Sequence, residues 1–386
     1  MATSEDVQLN PHLTGLDCIR CSRRYPVGDY PEGCSHCLAE GHPASLEPVF
    51  SRDREAIDGQ GSGSGMARFA NRLGYKRFIS LGEGDTPLVS LPGLAKLLGM
   101  DRIYAKLEGS NPTGSHKDRM SAQFVARALD RGAPAVIAAT SGNAGASLAA
   151  YAGAAGLPCT IVTTPAITAP WRRAIEMAGA NIIYTQDTPE RWVIVRRKVL
   201  EEGFASATNY LDPPVGSDAW GVDGYKTLGY ELAERQQETN ADVVIVPTAR
   251  GDLLWGIFRG FAESVEEGFC PRAPQLVAVE PFPRITRVME GADLREHFPG
   301  RNAMSSIAGA TVTLQSVEAL RKSNGIAVAV TEEEAIADQK VLASTGGQYT
   351  ELSAAATLSA LRRVLANDPT IRSAILVLTS HGYKET

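Results

Sequence analysis

From about Leu81 onward, short apolar runs rich in β-branched and small residues alternate with longer stretches in which apolar positions recur at helical spacing. The runs are Ile103 to Lys106, Ala135 to Ala139, Cys159 to Val162, Val243 to Val246, Leu276 to Val279 and Ala374 to Leu378, and each predicts a strand. Between them, Met120, Phe124 and Ala128 fall on one helical face, with Arg119, Arg127 and Arg131 to the other side. Strands alternating with helices predict an α/β fold with mostly parallel sheets covered on both faces. Ligands in such folds gather beyond the carboxyl ends of the strands.

The N-terminal part reads differently. Cys18-Ile19-Arg20-Cys21 and Cys34-Ser35-His36-Cys37 have the paired-knuckle spacing that brings four thiolates to the corners of a tetrahedron, with zinc as the expected occupant. Four protein sulfurs leave no open coordination position, so the ion is expected to be structural. His36 and His42 are expected at the surface or just behind the ligating sulfurs. Asp58 to Gly65, Asp-Gly-Gln-Gly-Ser-Gly-Ser-Gly, reads as a flexible linker between this module and the main body.

Composition narrows the function. With 386 residues, 44% of them hydrophobic, the chain can bury a full core and divide into two or three domains. A net charge of -6 with scattered basic residues lacks the footprint of a nucleic-acid binder. No export signal or membrane-spanning run is apparent, and four of the six cysteines sit in the metal pattern. The expectation is a cytoplasmic protein without nucleic-acid or membrane partners, acting on a small molecule.

Two turns carry candidate chemistry. Leu107 to Arg119 runs from a strand end through an Asn, Pro and Gly turn to Lys117 at the mouth of a helix. A cation there opposes the helix dipole unless an anion lies beside it or imine formation has removed its charge. Read alone, a lysine after a glycine turn is usually an ordinary solvated side chain. Thr140-Ser141-Gly142-Asn143-Ala144-Gly145 again joins a strand to a helix. It either presents N–H groups to an anion or is simply capped by Thr140 or Ser141.

Taken together, Leu81-Gly82-Glu83-Gly84-Asp85-Thr86-Pro87-Leu88, Asn111 to Arg119, Ser141-Gly142-Asn143, Asp223-Gly224-Tyr225-Lys226-Thr227, Ser323-Asn324-Gly325, Glu351 to Ala354 and Thr379 to Lys384 resemble the threonine synthase branch of the fold-type II pyridoxal-phosphate enzymes. The resemblance implies two three-layer α/β/α domains behind a small zinc ribbon. Its segments would be 1–50 for the ribbon, 51–80 for linker and lead-in, 81–105 with 215–386 for a large cofactor-binding domain, and 106–214 for a small one. It implies pyridoxal 5'-phosphate held as a Schiff base on Lys117, Asn143 at the cofactor's phenolic oxygen and Thr379 facing its pyridine nitrogen. Thr140, Ser141, Gly142, Asn143 and Ala144 would receive the substrate carboxylate, and Arg250, Gly251 and Asp252 the cofactor phosphate. A homodimer is also implied. The expected reaction is β- or γ-elimination at a small amino acid, with or without replacement.

Three positions depart from the family pattern. Thr248-Ala249-Arg250-Gly251-Asp252-Leu253 replaces a phosphate loop rich in Gly and Asn; Arg250 either pairs with the phosphate or lies on the surface, and Asp252 opposes it unless it caps the helix or turns outward. Ala219 to Asp223 lacks the arginine expected for a phosphorylated substrate and gains an acid, read as exposed. His116 adds a titratable group beside Lys117, where it would meet the substrate. These departures predict an altered substrate. The alternatives are threonine synthase itself, which converts O-phospho-L-homoserine, a serine or threonine deaminase, and a relative that has lost the cofactor.

Overall fold

The computed structural model describes residues 2–51 and 63–385, and most of the expected linker, residues 58–62, lies outside them. The chain forms two compact units, Met1–Gly84 with Lys117–Thr227, and Asp85–His116 with Leu228–Thr386.

In the first unit, Leu13–Cys18 pairs antiparallel with Arg24–Tyr25 and with Leu46–Phe50, a small sheet that carries the cysteine knuckles. A second sheet is wholly parallel, in the order Asn181–Tyr184, Cys159–Thr163, Val136–Ala139, Ala205–Ser206. Alternation of side chains along its strands supplies two apolar faces. Ile137, Ala139 and Val162 pack with Val195 of helix Thr188–Glu202. Ile161, pointing the other way, lies beside Gly145 of helix Asn143–Ala155.

The second unit is built on a six-stranded sheet ordered Ile326–Ala329, Gln275–Glu280, Val243–Pro247, Ser373–Leu378, Arg102–Leu107, Leu88–Ser90; only the last runs antiparallel to its neighbour. Ile103, Ala105, Val243, Ile245, Val277, Val279, Ala374 and Leu376 share one core with Leu94, Leu342, Leu358 and Leu361 from three helices. Helices Asp252–Glu266 and Leu314–Lys322 pack on each other and against Gln275–Glu280. The fold is the α/β class expected, with parallel-sheet cores in both units.

All six expected strands are present within a residue or so of their expected ends. One helix departs from expectation. In Lys117–Asp130, Arg119 is not on a solvent face: it is fully buried, and its Nη1 donates to the Thr227 hydroxyl at 2.9 Å. This helix packs against both Asn143–Ala155 and Ala219–Asp223, so even its polar side is enclosed.

Candidate functional site

The knuckle sulfurs form one cluster. The ligand atoms of Cys18, Cys21, Cys34 and Cys37 all lie within 4.8 Å of one another. Cys18 to Cys37 and Cys21 to Cys34 are each 3.7 Å apart. Thiolates placed tetrahedrally around an ion at about 2.3 Å stand roughly 3.8 Å apart, so these two separations match those of a four-coordinate metal. The backbone N–H groups of Arg20 and Cys21 point at Cys18 Sγ, at 3.4 and 3.5 Å, an orientation that supports a charged sulfur. His36 lies within 3.5 Å of Glu40 instead of joining the cluster.

In the same unit, Lys117 is the first residue of its helix and half-buried. Its Nζ donates to the Tyr225 hydroxyl at 3.2 Å. The loop after Val136–Ala139 ends in a helix whose cap is Gly142, with no side-chain cap. Thr140 and Ser141 therefore do not cap that helix; the Thr140 hydroxyl accepts instead from Gly142 N at 3.1 Å. Ser141 is exposed, Gly142 and Asn143 are buried, and Ala144 is half-buried. Trp171 lies against this loop so closely that a Cβ on Gly142 would meet its ring at 2.5 Å. Its indole N–H donates to Asn143 Oδ1 at 3.1 Å. An amide whose oxygen is held this way turns its NH2 in the opposite direction, so Trp171 fixes which end of Asn143 can serve a ligand.

The acid expected to be exposed is not. Asp223 is buried, 2.7 Å from Lys226 Nζ, and accepts from Gly74 N at 2.9 Å. With its charge balanced, Asp223 no longer argues for an altered substrate, while the missing arginine still does.

The second unit holds the remaining candidates. Gly251 caps helix Asp252–Glu266 without a side-chain bond. Asp252 neither caps the helix nor turns outward: it is buried, and its charge acts on Arg250. Burial holds the Arg250 guanidinium below its usual range, with Asp252 opposing. Arg250 is half-buried rather than a surface residue. Arg284, which sequence reasoning missed, is fully buried and donates to Thr248 O at 2.7 Å, Ile307 O at 2.9 Å and Gly309 O. It braces the first residue of the loop. Burial pushes Arg284 down to about 10, Glu280 opposing and the Arg250 charge adding. The place a Cβ would take on Gly309 lies 3.7 Å from Arg284 Nη1 and 3.8 Å from Arg250 Nη1. Two guanidinium groups drawn together under low dielectric favour an anion between or beside them, and a phosphate fits that electrostatic demand.

Thr379 is buried, and its hydroxyl donates to Glu351 Oε1 at 3.2 Å. His116 is also buried. Its backbone N–H donates to Thr379 O at 3.1 Å, and its Nδ1 stands 3.4 Å from the same oxygen. The imidazole is thus tied to the Thr379 backbone. Glu351 was visible in a quoted motif without a role, while Arg284 and Trp171 stand outside every motif and offered no signal.

Residues 79–380 match the family model described as pyridoxal-phosphate dependent enzyme. Threonine synthase of Methanosarcina acetivorans is 27% identical over 96% of this chain and 92% of its own length. That of Bacillus sp. is 30% identical over 80% and 85%. Among solved structures, an L-serine ammonia-lyase of Rhizomucor miehei superposes with TM-score 0.67 at 21% identity, covering 77% of this chain and 93% of its own. A serine racemase of Dictyostelium discoideum gives 0.64 at 19%, covering 77% and 92%. Matched along most of its length, the chain belongs to the pyridoxal-phosphate dependent enzymes of fold type II, in their threonine synthase branch.

Proposed function

We propose that this protein catalyses β- or γ-elimination at a small amino acid, with or without replacement of the departing group, and that Lys117 holds the cofactor. The observation carrying this reading is the half-buried Lys117, its amine set at a helix mouth against the Tyr225 hydroxyl, in a family whose cofactor is an aldehyde. The cofactor, when bound, supplies an electron sink for the charge left at the substrate α-carbon. The chain's own groups do the rest. Lys117 Nζ removes the α-proton, and the β-proton where the γ-carbon reacts. N–H groups from Ser141 to Ala144 receive the substrate carboxylate. Asn143 offers its NH2 to the phenolic oxygen, and the Thr379 hydroxyl, its proton turned to Glu351, faces the ring nitrogen with its lone pairs. Arg250 takes the cofactor phosphate on a loop that Arg284 holds rigid.

A second reading, threonine synthase proper, is favoured by relatives of that name matching over almost the full length. Against it stands the missing cation in Ala219 to Asp223. Phosphate release from O-phospho-L-homoserine separates the two readings, and keto-acid formation from serine or threonine detects a deaminase. Borohydride reduction of the cofactor-loaded protein followed by peptide mapping should label Lys117. Lys117→Ala should bind without a visible imine band. Labelling elsewhere removes the proposal.

We also propose that the cysteine cluster binds structural Zn2+ and that the protein is a homodimer. One zinc per chain by elemental analysis is expected, with chelation lowering the thermal midpoint while the imine band forms on remaining folded protein. Light scattering of the purified protein tests the dimer.

A further inference from the structure

We infer that Tyr225 is the positioning residue for the Lys117 amine, the dock that receives it whenever it is not joined to the cofactor. This rests on the proposed role of Lys117. Tyr225 is fully buried, so its hydroxyl has no access to bulk water. Two of its contacts lie along one face of the lysine helix: Lys117 Nζ donates to Oη at 3.2 Å, and Oη in turn is 3.5 Å from Met120 Sδ, a weak acceptor. A phenol carries one proton and two acceptor sites. With the proton directed at the sulfur, lone-pair density is turned to the amine. Nζ also stands 5.5 Å from the ring centroid, within reach of a cation–π contact.

The backbone is arranged to deliver this ring. Gly224 approaches the lysine helix so closely that a Cβ would lie 2.1 Å from Arg119 O. Thr227, two residues beyond Tyr225, takes the Arg119 guanidinium at 2.9 Å, fastening the segment on its other side. Gly224 and Thr227 therefore help to seat one aromatic hydroxyl beside one amine.

Function explains the need. A lysine that exchanges its bond to an aldehyde with an incoming amine is released and must re-attack in every cycle. A free lysine side chain carries about 2 kcal/mol of rotamer entropy. A fixed acceptor keeps the amine within reach of the carbon it must rejoin, which preserves proximity without holding it covalently.

The test uses apo-protein mixed with pyridoxal phosphate, following growth of the visible imine band by stopped flow, for wild type, Tyr225→Phe and Met120→Leu. Circular dichroism and thermal midpoint confirm folding, and borohydride trapping identifies the modified residue. Phe keeps the ring and its packing and loses only the oxygen. Tyr225→Phe should still be trapped on Lys117 but form the imine about tenfold more slowly, the scale of one hydrogen bond in a reacting geometry. Met120→Leu, which keeps the acceptor, should stay within about twofold of wild type. Equal rates for wild type and Tyr225→Phe overturn the inference, as does a Met120→Leu rate as slow as that of Tyr225→Phe. Failure to trap Lys117 in the wild type instead strikes the lysine assignment itself, and the inference falls with it.

Discussion

Two loops in this protein have the same backbone plan and opposite chemistry. Thr140 to Gly142 and Thr248 to Gly251 each leave the carboxyl end of a parallel strand and enter a helix capped by a glycine without a side-chain bond. The first is neutral, with an indole laid across it. The second carries Arg250 and Asp252 and is braced by a buried Arg284. The uncapped N–H groups alone would make both generic anion sites. What separates them is the side-chain shell: one presents directed hydrogen bonds, as a carboxylate and a phenolic oxygen require, and the other adds full positive charge, as a phosphate dianion requires.

The sharpest way to break this contrast is Arg284→Met. Leaving its carbonyl partners and Glu280 buried without their cation should cost about 3–5 kcal/mol. A drop of that order in the urea midpoint, together with weakened cofactor binding, is expected. Retained stability would mean that the brace is dispensable. Arg250→Gln should leave the fold intact and weaken pyridoxal phosphate binding by about tenfold to a hundredfold, as loss of a charge-assisted bond does. The same change should leave the affinity for unphosphorylated pyridoxal alone, which absorbance titration of the two aldehydes resolves. A smaller effect belongs to Trp171→Phe. It removes the N–H that holds Asn143 and should weaken both aldehydes alike, by about fivefold. A selective loss of the phosphorylated form in that variant would erase the distinction between the loops.

How far the sequence disclosed this arrangement differs by kind of information. Central strands such as Val243–Pro247 and Ser373–Leu378 are buried along their whole length, so their apolar runs were unmistakable. Edge strands such as Asn181–Tyr184 and Ile326–Ala329 are partly exposed and mixed in composition, and they escaped detection. The helix of Lys117 misled in the opposite sense: Arg119 looked like a solvent-facing residue, yet tertiary partners enclose it. The same limit applied at the candidate site. Lys117, Asn143 and the four cysteines stood in local patterns. Arg284 acts on a loop more than thirty residues before it, and Trp171 on one nearly thirty residues before it; no local spacing encodes such contacts. Asp223 was misjudged for a related reason, since burial and counter-charge are properties of the packed state.

The six-stranded sheet has a consequence for how the chain can be made. Its strand Ser373–Leu378 is the last in sequence, yet it lies between Val243–Pro247 and Arg102–Leu107. During synthesis, the ribosome therefore releases the keystone after every strand it must join. The four-stranded sheet, complete by Ser206, can close while translation continues. A message cut short before that final strand would yield one finished sheet and one split in two, with open edges exposed to aggregation.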